Sequence, residues 1–256
     1  MSHGLAHKNE KAWTSRGACW ETWPNTFKEY SELVFDHSRD SYYLREHGLK
    51  PNLLHLTGNC ADQRVLDAGS GNGWLLDELR PAEGYACDIV EQPNISKQWR
   101  FTVQDVRALS YPDNLFDVVV ASLLLIWLEE IDTALREMHR VQRVGGKLVI
   151  SLVHPYFYRM GELNPQGNFT ISKDLSKPFR IEGLKIGGIA GPLTYFYRPF
   201  PDYLNACVRT GFQITKVLDW FIDMKDYEEK TLLGMDSNIL RTGKVPLYSF
   251  IECKKE

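Results

Sequence analysis

The sequence predicts an α/β fold, a parallel, doubly wound sheet with helices before it and an insertion after its fifth strand. Three observations carry this. Strand and helix signals alternate through the middle hundred residues. The central apolar runs are continuous and β-branched, as in strands covered on both faces. A glycine-rich turn, VLDAGSGNG at 65–73, joins the first strand directly to a helix.

In chain order, residues 13–60 carry helical signals. FKEYSELVFDHSRDSYYLREHGL places Phe27, Tyr30, Leu33 and Val34 on one stripe, and Pro51 opens a second piece, Asn52 to Leu56. RVLDAGS is a short strand and WLLDELR a helix start. GYACDIV and WRFTVQDV give two further strands, and LFDVVVAS is a strand buried on both faces. EEIDTALREMHRVQR sets Ile131, Leu135, Met138 and Val141 along one face, and Gly145-Gly146 is expected to stop that helix before the strand KLVISLV. Between Pro155 and Pro192 glycines, prolines and aromatics replace the alternation, over a length typical of a functional lid. Alternating residues in FRIEGLKI and PLTYFYRP predict strands within it. DYLNACVRTGF is then a helix ending at Gly211, and QITKVLDWF and PLYSFIECKK are the closing strands.

The 256 residues are expected to form one domain, with a helical cap at 1–60 and a lid at 155–198. A formal net charge of -3, with no dense Lys/Arg stretch, argues against a nucleic-acid partner. Five cysteines, Cys19, Cys60, Cys87, Cys207 and Cys253, show no C-x-x-C or zinc-like spacing, so free thiols and no metal are expected. MSHGLAHKNEKAW lacks a signal-peptide apolar core, and no stretch approaches the roughly 18 apolar residues of a membrane span. A cytoplasmic protein without a membrane partner is expected, as monomer or homodimer.

The glycine turn narrows the ligand. A bare backbone at a helix N-terminus offers close approach and free N–H groups. The dinucleotide fingerprint G-x-G-x-x-G is absent, because Trp74 stands where its third glycine belongs, and no G-K-[ST] follows to make a P-loop. Asp67, two residues before Gly69, repels a pyrophosphate and suits a ligand bearing an ammonium group. A cationic nucleoside without phosphate fits best.

VLDAGSGNG resembles the first motif of class I S-adenosylmethionine-dependent methyltransferases. The resemblance continues through Asp88 in YACDIV, Asp105 in VQDVRALSYPDNLFDVVVAS, and HRVQRVGGKLVIS, over about residues 50–155. It implies a seven-stranded, mostly parallel Rossmann-like sheet, S-adenosylmethionine as cofactor and S-adenosylhomocysteine as product. It also implies that Asp67, Gly69, Gly71, Asn72 and Gly73 hold the methionine part, and that Asp88 and Ile89 meet the ribose. Asp105 and the Val106 amide would read the adenine edge, with Ser122, Leu123 and Trp127 as a wall. Carboxylates suit these tasks, since one can accept from both hydroxyls of a diol or from an exocyclic amine. Asp117 is expected to be a structural acid at the start of its strand.

Many small-molecule members of the family carry a histidine pair in a segment resembling SLVLHHL. Here SLLLIWL places Ile126 and Trp127 at those positions, so no base stands there. His154, directly after KLVISLV, lies at the carboxyl end of a central strand and is the candidate base, or else it hydrogen-bonds the lid backbone or orients substrate. His37, His47, His55 and His139 fall in helical segments and read as surface or packing residues.

Aromatics gather before the glycine turn and again after the fifth strand. Most suit packing, while Trp20, Trp23, Tyr42, Tyr43, Tyr156, Tyr195 and Tyr197 are candidates to line an acceptor pocket. YFYRPFPDYLNACVRTGF resembles a Y-x-R-P-x-x-D-Y-L-N-A-L segment of small-molecule methyltransferases, which puts Tyr197 and Arg198 near the acceptor. Arg198 pairing with Asp202 is the equal alternative. The expected activity is methyl transfer to O or N of a small, aromatic or apolar metabolite. The alternatives are a cofactor-binding protein without methyl transfer, acting as a regulator or rearrangement catalyst, and a protein methyltransferase.

Overall fold

The structure is a computed structural model, and it describes residues 43–89, 91–92, 95–157, 161–163, 169–171, 173–186, 189–223, 243 and 245–256. Trp20, Trp23 and Tyr42, with the helical stripe from Phe27 to Val34, lie outside the described residues.

A π-helical segment, Leu44–Leu49, runs straight into α1, Lys50–Thr57. Pro51 therefore does not open a separate piece. It occupies the first turn of α1, where its fixed φ suits the helix. At the other end of α1, Lys147 Nζ donates to the carbonyls of Leu56 at 2.5 Å and Thr57 at 3.4 Å. A cation there satisfies terminal acceptors and opposes the negative end of the helix.

The sheet begins with β1 (Arg64–Ala68), followed by α2 (Trp74–Leu79), β2 (Glu83–Asp88), β3 (Arg100–Val103) and β4 (Phe116–Ser122). A 3₁₀ turn, Leu125–Trp127, leads to α3 (Asp132–Val141) and β5 (Gln142–Val153). Two short strands, β6 (Gly161–Leu163) and β7 (Phe169–Ile171), pair antiparallel, as do β8 (Phe179–Ile186) and β9 (Ile189–Tyr197). The chain then forms α4 (Phe200–Arg209), β10 (Phe212–Trp220) and β11 (Tyr248–Lys255).

The seven strands lie in the order β10-β11-β5-β4-β1-β2-β3. The five from β5 to β3 pair in parallel, and β11 runs antiparallel to both β5 and β10. The seven-stranded, mostly parallel architecture is the expected one, and the structure adds that its β11 end is antiparallel. Its core follows from the apolar runs. In β4 Phe116, Val118, Val119, Val120 and Ala121 are all buried, and Leu148, Val149 and Ile150 of β5 are buried beside them. Each such large side chain contributes about 1.5–3 kcal/mol on burial.

One boundary differs from expectation. Helix α3 ends at Val141 and β5 begins at Gln142, so Gly145-Gly146 lies within the strand. The reason is a close approach: a Cβ on Gly146 would stand 2.9 Å from the Asp117 carbonyl, beside a register shift between Phe116 and Val118. Asp117 itself accepts from the Arg64 amide at 2.6 Å and pairs with Arg143 at 2.5 Å, a structural acid at the start of β4. Cys60, Cys87, Cys207 and Cys253 are buried free thiols. Among the described residues no helix is long and apolar enough to cross a membrane.

Candidate cofactor and acceptor site

The parallel strands bring the sequence motifs to one edge. Asp67 pairs in register with Ala86 of β2 and Val120 of β4, so it sits at the centre of the sheet near its carboxyl end. It is 2% exposed. Burial, with Asp88's negative charge adding to it, pushes its pKa up to about 7. A buried carboxylate in this state is a receptive partner for a cation.

Beyond Asp67 the backbone turns through three left-handed glycines, Gly69, Gly71 and Gly73, with φ of 69°, 51° and 77°. The turn is pinned to β2. The amides of Gly69 and Ser70 donate to the Cys87 carbonyl at 2.8 and 3.0 Å, and the Gly71 amide donates to Asp88 Oδ2 at 3.0 Å. Asn72 Oδ1 accepts from the Trp74 amide at 3.4 Å.

The glycines answer to different neighbours. A Cβ on Gly69 would lie 2.6 Å from Leu124 Cδ1, and one on Gly73 would lie 3.1 Å from Ile95 Cγ1. At Gly71 a Cβ would meet no atom of the described protein within 4 Å. Two of the glycines thus admit the protein's own side chains, and the middle one faces open space beside Asp88.

Asp88 and Ile89 mark the end of β2, and Asp105 and Val106 follow β3. Asp105 Oδ1 accepts from the Arg107 amide at 2.8 Å, and its carboxylate also takes the Arg107 guanidinium. Val106 is buried. The segment after it is braced from α3. Glu137 accepts from the Leu109 amide at 2.8 Å, and Arg140 donates to the carbonyls of Leu109 and Tyr111 at 2.8 Å each.

At the end of β4, Ser122 Oγ lies 3.1 Å from Ser151 Oγ, and Leu123 adopts φ 52°. The Leu123 amide donates to the Ser151 carbonyl at 3.0 Å and to Ser151 Oγ at 3.2 Å. Trp127 stands edge-on to Tyr195, with ring centroids 6.4 Å apart, and Ile126 is buried. Neither histidine position of the family segment supplies a base.

His154, 5% exposed, follows β5 directly. Its amide donates to the Leu247 carbonyl at 2.7 Å, and its Nδ1 accepts from the Tyr156 amide at 3.3 Å. Nε2 faces Asp219 Oδ2 at 3.9 Å, and Asp219 in turn accepts from Ser249 Oγ at 2.6 Å. Burial holds the His154 pKa below the usual histidine value, against the pull of Asp219, so the ring is neutral at pH 7. Phe157 and Phe200 lie against the ring.

Among the substrate candidates, Tyr43 is buried and stacks on His47 at 4.3 Å. Tyr195 and Tyr197 are buried too, and Tyr197 Oη donates to the Leu175 carbonyl at 2.9 Å. Tyr156 lies beside His154, ring centroids 5.7 Å apart. Arg198 is buried and bonds backbone carbonyls rather than the Asp202 carboxylate. Three participants escaped the sequence reading. Leu124 is one of several leucines in SLLLIWL and Ile95 a single apolar residue in the polar stretch EQPNISKQ, neither with a motif of its own, whereas Ser151 is a lone hydroxyl inside KLVISLV.

Sheet order, glycine loop and strand-end acids together define a class I S-adenosylmethionine-dependent methyltransferase fold. Residues 66–150, a third of the chain, match the methyltransferase domain family, whose cofactor is S-adenosylmethionine. A malonyl-[acyl-carrier protein] O-methyltransferase of Halorhodospira halophila is 35% identical over 105 residues, 36% of this chain and 36% of that protein. A demethylmenaquinone methyltransferase of Bacteroides fragilis is 30% identical over 103 residues, 34% of this chain and 42% of that protein. The matched segments thus span well under half of these relatives. An S-adenosylmethionine-dependent methyltransferase of Mesorhizobium loti shares the fold at 19% identity and a TM-score of 0.63, covering 80% of this chain and 96% of that one.

Proposed function

We propose that this chain transfers the methyl group of S-adenosylmethionine to an oxygen or nitrogen of a small, aromatic or apolar metabolite. The observation that carries the proposal is the Gly71–Asp88 hydrogen bond beside the open face of Gly71. It sets a ribose-binding acid against a backbone that a ligand can approach. The relatives named above, by their names, methylate a malonyl group on a carrier protein and a demethylmenaquinone, which supports a small acceptor group.

In this reading Asp67 meets the cofactor's ammonium group, and Gly69, Gly71, Asn72 and Gly73 line its amino acid part. Asp88 and Ile89 take the ribose. Asp105, oriented by Arg107, and the Val106 amide take the adenine. Ser122, Leu123 and Trp127 form the wall between cofactor and acceptor. When bound, the cofactor supplies an electrophilic methyl on a positively charged sulfur. The residues named above would hold the cofactor beside the acceptor, where alignment alone is worth effective molarities of about 10⁵ M or more.

A protonated nucleophile also needs an acceptor for its proton. We assign that role to His154, with Asp219 facing Nε2 and Nδ1 bearing the lone pair, once the Tyr156 amide releases Nδ1. The segments at 1–60 and 155–198 act as cap and lid over this edge, with Trp20, Trp23, Tyr42, Tyr43, Tyr156, Tyr195 and Tyr197 as acceptor-side aromatics. A second reading, cofactor binding without methyl transfer, is favoured by one feature, Ile126 and Trp127 in place of the family's histidines.

Titration with S-adenosylhomocysteine tests the cofactor assignment. The wild-type protein is expected to bind it and Asp88→Ala to bind far more weakly. No binding by the wild type, or equal binding by both, contradicts it.

A further inference from the structure

Arg198 immediately follows β9, yet its guanidinium reaches across to the turn after β4. It donates to the carbonyls of Leu125 and Phe196, at 3.4 Å each, and to those of Leu128 and Glu129. Its Cζ lies 5.9 Å from the Tyr203 ring centroid. A guanidinium carries five N–H donors in a rigid fork, and burying it is tolerated only where those donors are met. Three of its four carbonyl partners belong to one turn, so the charge stitches the last strand of the β8–β9 hairpin to residues 125–129.

The same turn is held at its start. Leu123 is left-handed, a conformation that costs a non-glycine residue about 1–2 kcal/mol, and Ser151 fixes it by two hydrogen bonds to its amide. The turn's own bonds are few: the Trp127 amide to the Leu124 carbonyl at 3.0 Å and the Leu128 amide to the Leu125 carbonyl at 3.3 Å. Between the two anchors stands Leu124, whose Cδ1 fills the space a Gly69 Cβ would take. The cofactor loop is therefore packed against a turn clamped by Ser151 on one side and by Arg198 on the other.

From this arrangement we infer that Arg198 is a positioning residue that couples the β8–β9 hairpin to the cofactor loop through the 125–129 turn and Leu124. The inference rests on the cofactor reading proposed above. It assigns Arg198 no contact with substrate. With the guanidinium absent, the turn's carbonyls lose their shared partner, Leu124 loses its fixed seat, and Gly69 loses the wall that shapes the loop.

The test is calorimetric titration of the full chain with S-adenosylhomocysteine, in the wild type, R198A, R198K, L124A and R198A/L124A, with thermal melts to establish folding. R198A is expected to weaken binding about tenfold. R198K, which keeps a charged donor, recovers part of the loss. L124A weakens binding on its own, and the double variant binds no worse than the weaker single variant, because both changes break one chain of contacts. Binding by R198A equal to the wild type overturns the inference, as do losses that multiply in the double variant. Should R198A not fold, unchanged binding by L124A overturns it equally. Failure of the wild type to bind is a different result, since it contradicts the cofactor reading itself.

Discussion

The Gly71 amide donates to Asp88 Oδ2 at 3.0 Å, so the turn after β1 and the end of β2 are one unit. A backbone donor that fixes one carboxylate oxygen leaves the other directed by the same bond. Asp88→Ala removes both the brace and the acceptor. We predict a 10–100-fold, order-of-magnitude loss of S-adenosylhomocysteine affinity, the size of a hydrogen bond to a charged group. Calorimetric titration measures it, and a loss under twofold contradicts the role given to Asp88.

The glycines separate packing from ligand approach. Gly69→Ala drives a Cβ to 2.6 Å from Leu124, and Gly71→Ala meets no atom within 4 Å. Both also force a left-handed alanine, which costs about 1–2 kcal/mol. We predict that Gly71→Ala melts only slightly below the wild type yet loses cofactor binding, whereas Gly69→Ala loses more stability. Thermal melts paired with titration check this, and a Gly71→Ala protein that binds normally refutes it.

Asp67 gives the site a pH dependence. Its folded pKa is about 7, raised by burial first and Asp88 second, against 3.8 for the free side chain. Between pH 4 and 7 the native state therefore holds more protons than the unfolded chain. Stability of the ligand-free protein contributed by this group is greatest at the low end and falls as pH rises to about 7. An ammonium ligand requires the ionised form, so binding runs the other way and weakens as pH drops below about 7. Asp67→Asn is predicted to lose both dependences, read from melts and titrations across that window.

His154 has the opposite sign. Burial lowers its pKa from 6.5, so its stability contribution is complete above pH 6.5 and is lost as pH falls through the lowered value. As a base, His154→Gln should lower turnover on an identified acceptor by about 10²-fold or more while leaving S-adenosylhomocysteine affinity unchanged. Full turnover with a lowered melting temperature assigns it to holding Tyr156 and the lid instead.

Much of the fold was legible because period and composition act locally. LFDVVVAS could only be a doubly covered strand, and D-x-G-x-G-x-G declared a turn that must pass something close. The misread boundaries were tertiary. Gly145-Gly146 looked like a helix stop, but Gly146 is bare because the Asp117 carbonyl passes 2.9 Å away. Pro51 looked like a break, but the first helical turn accommodates it. The site divided the same way. Its acids stood at strand ends, where sequence position fixes location. Arg198 and Leu124 act through residues far along the chain, and no local pattern encodes which carbonyls a guanidinium will meet.

The central claim is methyl transfer to a small molecule, and one measurement addresses it directly. The purified full chain is incubated with methyl-labelled S-adenosylmethionine and a metabolite extract, and label is followed into small-molecule and protein fractions. The account predicts label in an extractable small compound with the wild type and, at cofactor concentrations that only the wild type saturates, much less with Asp88→Ala. A wild-type protein that binds the cofactor yet labels no small compound, or labels only protein, contradicts it.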